Sequence, residues 1–253
     1  MAEFENLTPE DLAEAPLDAE LDEAQAADAG AELAAMLEAR SGTYLLLSRL
    51  FHKEVDQQLL ADMHDSLYPA DTGDADIDKG YLYISTFLSN LWSESVRELK
   101  VDFARCFLGQ GVDGYSAAYP YESVYTSPKR LMMEEARREV MHTYHVWSVD
   151  KDPNWREGED RISLELLFES IMGNRAAAAL AEGNGEEARK ILQGAADFLD
   201  EHLMGWYPML AADMQRFAKT KFYLGLSHLT LGFIATDLQF LQDLLAEPLP
   251  GEE

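Results

Sequence analysis

Apolar residues recur every three to four positions along most of this chain and almost nowhere alternate with polar ones. A 3.6-residue period is the mark of a helix with one buried face, and period-two alternation with β-branched enrichment is the mark of a strand. The strand signal is nearly absent, so the sequence predicts an all-α fold. Leu33, Leu37, Tyr44, Leu47 and Phe51 make one such stripe within a helix predicted over Ala31–His52. Further helices are predicted over Val55–Tyr68, Tyr81–Trp92, Glu94–Leu108, Pro128–Trp147, Arg161–Ala181, Asn184–Met204, Trp206–Ala218 and Thr220–Ala246. Ser127 before Pro128 has the form of an N-cap followed by proline in the first turn. Asp160 is placed to cap the helix from Arg161, and Asn184 the next one, with Glu186 and Glu187 in its first turn. No internal repeat of 20–50 residues is found. The expected architecture is one compact multi-helix domain of about nine helices over residues 31–247, followed by a short C-terminal tail, 248–253.

Charge narrows the function. The 253 residues carry a formal charge of −27, and Met1–Ala39 holds twelve acidic residues with no Lys or Arg, hence −12 of that total. A segment so rich in Ala, Asp and Glu is expected to be disordered over residues 1–30. It reads either as a solubilising tail or as a lure for a basic partner. Nucleic-acid phosphates need a basic stripe, so a nucleic-acid partner is not expected. No apolar run is long enough to span a bilayer, and no basic region followed by an apolar stretch opens the chain. The single cysteine, Cys106, permits no intrachain disulfide. A cytoplasmic protein is expected.

Tests for catalytic motifs fail. There is no phosphate loop, no H-E-x-x-H, no G-x-S-x-G and no G-x-G-x-x-G. A di-iron bundle needs two Glu-x-x-His motifs, and only Glu139–His142 has that form. His142 and His145 are spaced to share a metal but lack further ligands. Cys106 follows Arg105, a neighbour that lowers a thiol pKa, but its place on the helical stripe suits a small buried hydrophobe. No enzyme, metal or cofactor is expected. Met132–Met133 suits either core filling or a methionine-rich docking surface.

Two loops stand out. Ala118-Tyr119-Pro120-Tyr121-Glu122-Ser123-Val124-Tyr125 gathers three tyrosines, a proline and a carboxylate. Tyrosine suits recognition because one end is apolar and the other polar; the same rings also suit packing the loop onto its own helices. Glu157-Gly158-Glu159-Asp160-Arg161 crowds carboxylates at a helix start, with Glu165 one turn on and Glu169 another. Ordinary favourable placement at a helix N-terminus explains that, and so does a cluster that pairs with guanidinium groups.

These residues resemble a known family. Asp102–Gly109 followed by Tyr119–Tyr125 is similar to the F-x-R-L-F-x-G … P-Y-x-S-V-Y region of the TorD/DmsD/NarJ redox-enzyme maturation chaperones. Glu157–Arg161 resembles that family's E-P-x-D-H loop. Phe198, His202-Leu203 and Trp206-Tyr207-Pro208 resemble its F-x-x-x-H-L-x-x-W-x-P pattern. The resemblance runs over about residues 33–245, with Gly158 in place of the family's proline and Arg161 in place of its histidine. It implies a TorD-like all-helical, non-enzymatic, cytoplasmic chaperone. Its partners would be the twin-arginine signal peptide and the apo form of a molybdopterin oxidoreductase precursor, of the dimethyl sulfoxide or trimethylamine-N-oxide reductase kind. Its work would be to assist cofactor insertion and export proofreading. The implied client-binding residues are Phe107, Tyr119, Pro120, Tyr121, Glu122, Ser123, Tyr125, Glu157, Asp160, Arg161 and Glu165. Glu122, Glu157, Asp160 and Glu165 would meet the arginines, and Phe107 with the tyrosines would line an apolar groove. Alternatives from other classes are a helical enzyme, either nucleotide hydrolase or metalloprotein, and a general helical interaction module. Long helices joined by hinge loops also permit exchange between protomers, so a homodimer is compatible with the sequence.

Overall fold

The computed structural model describes residues 15–109 and 117–252, with side chains from Asp28 onward. Among the described residues the chain is helical: α1 (Ala15–His52), α2 (Gln57–His64), α3 (Ala75–Leu88), α4 (Ser95–Phe107), α5 (Glu122–Thr126), α6 (Glu135–Val146), α7 (Ile162–Ala181), α8 (Gly185–Phe198), α9 (Met204–Phe217) and α10 (Lys221–Leu245). A π-helical turn, Leu199–Leu203, joins α8 to α9.

Several boundaries are set by side chains. Asp56 accepts a hydrogen bond from Leu59 N at 2.9 Å and starts α2. Asp74 accepts from Asp76 N and Ile77 N and starts α3, ahead of the predicted Tyr81. Asn184 caps α8 as its sequence predicts, accepting from Glu187 N at 3.1 Å.

Other expectations are corrected. Helix α1 starts at Ala15, so residues 15–30 of the expected disordered tail are helical, while residues 1–14 lie outside the described residues. Ser127 ends α5 instead of capping the next helix, Pro128 lies in a loop, and α6 starts at Glu135. The predicted break before Trp206 is absent: α8, the π-turn and α9 follow without interruption, with Pro208 inside α9. The end of the chain is also packed. Leu249 is buried, Gly185 N donates to Gly251 O, and Arg189 pairs with Glu252.

Two antiparallel helix pairs frame the molecule. In the first, α1 lies along α7: Gly30 sits beside Leu180, Arg40 beside Glu169, and Ser48 Oγ donates to Ser163 O at 2.6 Å. A buried ion cluster locks this pair to α10. Arg40 reaches Glu169 at 2.5 Å and Asp237 at 2.8 Å, and Tyr44 donates to Asp237 at 2.6 Å. Burial lifts the Glu169 carboxyl to about 8, so the arginine chiefly balances Asp237, which makes the cluster's burial tolerable. In the second pair, α3 lies along α10 at close range. A Cβ on Gly225 would come within 2.8 Å of Gly80 O, so this crossing depends on glycine. Between the pairs, Phe168 and Phe198 (centroids 4.6 Å apart) stack with Tyr144, while Phe51 meets Phe107 and Tyr207 edge-on.

Candidate functional site

The two loops singled out in the sequence meet in space. Glu122 N donates to Asp160 O at 2.9 Å and Ile162 N to Pro120 O at 3.0 Å, so the tyrosine loop and the acidic loop run antiparallel for one bridge, Tyr121 to Arg161. This is the one β-type contact among the described residues, and it sets α5 against the start of α7. Gly158 belongs to the same packing. A Cβ there would come within 2.8 Å of Asp160 Oδ1, so the residue that departs from the family's proline leaves room for the aspartate.

The side chains below this bridge hold the loops rather than face solvent. Asp160 is fully buried; its Oδ2 accepts from Ser123 N at 3.1 Å and Ser123 Oγ at 2.5 Å. It does not cap α7, whose first turn follows Arg161 with no side-chain cap. Glu165 is fully buried and accepts from Trp206 Nε1 at 3.0 Å. Burial first, then the carboxylates of Glu122 and Asp160, holds its carboxyl well above the ordinary 4.5, which favours the protonated acid. Glu122 faces His202, whose Nδ1 lies 3.1 Å from Glu122 Oε2. Arg161 is buried against the end of α1, donating to Phe51 O at 3.2 Å and His52 O at 3.4 Å, with its guanidinium over the Tyr121 ring. It therefore satisfies carbonyls left open at a helix C-terminus.

Of the residues expected to touch a partner, Phe107, Pro120, Glu122, Ser123, Asp160, Arg161 and Glu165 are buried. Phe107 is buried in the core against Phe51, Phe103 and Tyr223. Tyr119, Tyr121, Tyr125 and Glu157 keep part of their surface in solvent. Tyr125 stacks on Trp206 and donates to Asp213 at 3.0 Å. Tyr119 lines a cavity of ≈ 250 Å³ with Val124, Arg130, Asp213, Arg216 and Phe217. Glu157 lies 3.6 Å from Arg161, and Glu159 is held by Arg137 and Lys151.

Residue-by-residue reading gave no role to Trp206, His202 or Tyr144, which complete the buried polar layer. The available signal was a histidine and a tryptophan one turn apart, His202 and Trp206, with apolar Phe198, Leu199 and Leu203 around them. Cys106 is fully buried; burial raises its thiol pKa, and Arg105 is spent on Asp102. His142 and His145 are both exposed, and among the described residues no three His, Cys, Asp or Glu side chains are grouped to hold a metal. No described helix is long and apolar enough to cross a membrane. Met132 and Met133 are exposed, which removes the core-filling reading.

Comparison with known proteins decides the family. A profile described as nitrate reductase delta subunit matches residues 71–212, more than half of the chain. The chain belongs to this family. It is the TorD/NarJ family of redox-enzyme maturation chaperones, the one the motifs resemble. Relatives named chaperone protein TorD match over nearly the whole described fold. The one from Vibrio cholerae serotype O1 is 28% identical over 222 residues, which cover 85% of this chain and 98% of the relative. The one from a Psychrobacter species is 26% identical over 217 residues, covering 81% and 93%. The one from Shewanella piezotolerans is 24% identical over 219 residues, covering 81% and 93%. The matched region of the family profile contains both loops, the buried polar layer and α5–α8.

Proposed function

We propose that this maturation chaperone works in the cytoplasm. There it holds the apo form of a molybdopterin oxidoreductase through its twin-arginine signal peptide, assisting cofactor insertion and export proofreading. The observation that carries the reading is the rim of Tyr119, Tyr121, Tyr125 and Glu157. It is partly open to solvent, yet it is set on a rigid buried layer of Ser123, Asp160, Glu165 and Trp206. Side chains pre-ordered in this way lose little freedom on binding, so contact area converts more fully into affinity. The strong net acidity favours encounter with a basic peptide.

The reading is of a binding protein, not an enzyme, because the relatives are named chaperones. The residues given roles here are the rim as contact surface and the buried layer as its support.

Calorimetry of the full chain against a twin-arginine leader from a molybdoenzyme tests this, with a twin-lysine leader as control. Micromolar or tighter binding that falls on arginine-to-lysine exchange is expected. If neither the leader nor the mature apoenzyme binds, the reading is wrong.

A further inference from the structure

The carboxylates that the sequence offers to an arginine pair are the ones the fold buries. Glu122, Asp160 and Glu165 all lie inside, and Glu157 already faces Arg161. The cavity beside Tyr119 is no better, because Arg130 and Arg216 line it. A guanidinium brought there meets like charge, which costs free energy.

A different surface has the opposite character. Between α6 and the α8–π-turn segment lie two adjoining hollows of ≈ 460 and ≈ 360 Å³, both lined by His142, Thr143, Glu201 and His202. Glu139 lines the first and Asp197 the second. The cations at this groove have acidic neighbours of their own: Arg138 pairs with Glu135, and Lys190 lies 3.5 Å from Glu187. Among the described residues Glu139, Asp197 and Glu201 have no ion-pair partner.

His202 adds an independent observation. Its side chain is only 7% exposed, yet it lines both hollows. Its Nδ1 lies 3.1 Å from Glu122 Oε2, and no described residue bonds its other ring nitrogen, Nε2. Thr143 donates its hydroxyl to Glu139 O, which leaves oxygen lone pairs on that side. The groove therefore gathers the carboxylates of Glu139, Asp197 and Glu201 around a buried imidazole, beside cations that already have acidic neighbours, and guanidinium is the side chain with five donors and no acceptor. The two sites touch opposite ends of α5: Glu122 bonds His202 in the groove wall, and Tyr125 bonds Asp213 in the cavity wall.

We infer that the groove between α6 and the π-helical turn, through Glu139, Glu201 and His202, is the arginine-binding subsite of the chaperone, separate from the tyrosine rim. The inference rests on the reading that the client segment carries adjacent arginines. Helix α6 is about 18 Å long, which matches about five residues of extended peptide. An arginine pair lies in the groove while the apolar part of the segment continues across α5 to the tyrosine rim.

The test measures binding of the full-length chain to a fluorescent peptide with adjacent arginines and a short apolar segment. The wild type is compared with the exposed-site double variant Glu139→Gln/Glu201→Gln and with Glu182→Gln, an exposed acid at the end of α7 that lines neither the groove nor the tyrosine rim. The inference expects the double variant to bind about tenfold or more weakly, and Glu182→Gln to stay within about threefold of wild type. Circular dichroism confirms that each variant is folded. Wild-type binding with an unchanged double variant overturns the groove assignment and leaves the chaperone reading standing. Absence of wild-type binding to any arginine peptide overturns the groove assignment, and the chaperone reading falls with it if the mature apoenzyme does not bind either.

Discussion

His202 places Nδ1 3.1 Å from Glu122 Oε2 across the space between the π-helical turn and the first turn of α5. The extra residue of a π-turn re-aims a side chain without ending the helix, and such turns recur at functional sites. Here it directs a histidine from the long α8–α9 run at a carboxylate on a five-residue helix that has no side-chain cap of its own. Glu122→Ala is expected to lower the unfolding free energy by about 1–3 kcal/mol, measured by urea titration, because the imidazole loses its buried partner. An unchanged midpoint would mean that the Glu122–His202 contact does not help to hold α5.

Asp160 illustrates the difference between a binding residue and a supporting one. Asp160→Ala is expected to cost about 1–3 kcal/mol of stability, since it strips Ser123 of the acceptor for both its N–H and its hydroxyl. Ser123→Ala should cost part of the same energy, and the two changes together should cost less than their sum. Strict additivity in a double-mutant cycle would mean that they do not act on each other.

Glu165 sets a pH dependence. Its folded pKa lies above the ordinary 4.5, so the folded state binds a proton that the unfolded state releases. Its contribution to stability is therefore whole below about 4.5 and declines as pH rises from there towards the folded value. Glu165→Gln keeps a neutral group beside Trp206. It should flatten the decline of stability above that pH by up to about 1.4 kcal/mol per unit. Parallel wild-type and variant stability curves would show that Glu165 is ionised in the fold.

Cys106 is predicted to be inert in the native protein. Burial, then Asp102, raises its thiol pKa, and its sulfur is enclosed in the core. Titration with a chromogenic thiol reagent at pH 8 should give slow reaction in buffer and full reaction in denaturant. Rapid stoichiometric labelling of the native chain would put the thiol at the surface.

The helices were readable because their apolar stripes are long; the stripe through Leu33, Leu37, Tyr44, Leu47 and Phe51 is buried along α1. Boundaries failed where a local signal competed with a tertiary one. Ser127-Pro128 has a good N-cap pattern, but Ser127 closes α5, whose position is fixed by Glu122 and His202. Asp160 also looks like a cap and is used 37 residues back in sequence by Ser123. The candidate loops were found as a pair through their tyrosines and carboxylates. Which of those side chains face outward was not readable, because burial of an acid depends on a partner supplied from elsewhere. Trp206 for Glu165 and His202 for Glu122 lie 41 and 80 residues away.

The Arg40–Asp237 contact has a consequence for how the molecule assembles. Its two ends are 197 residues apart in sequence. Until α10 arrives, α1 carries an arginine and a tyrosine that can pack only once Asp237 is beside them. Loop closure over such a span is slow compared with helix formation. The contact that seals α1 to α10 joins the first described helix to the last, so it can form only when both ends of the chain have come together.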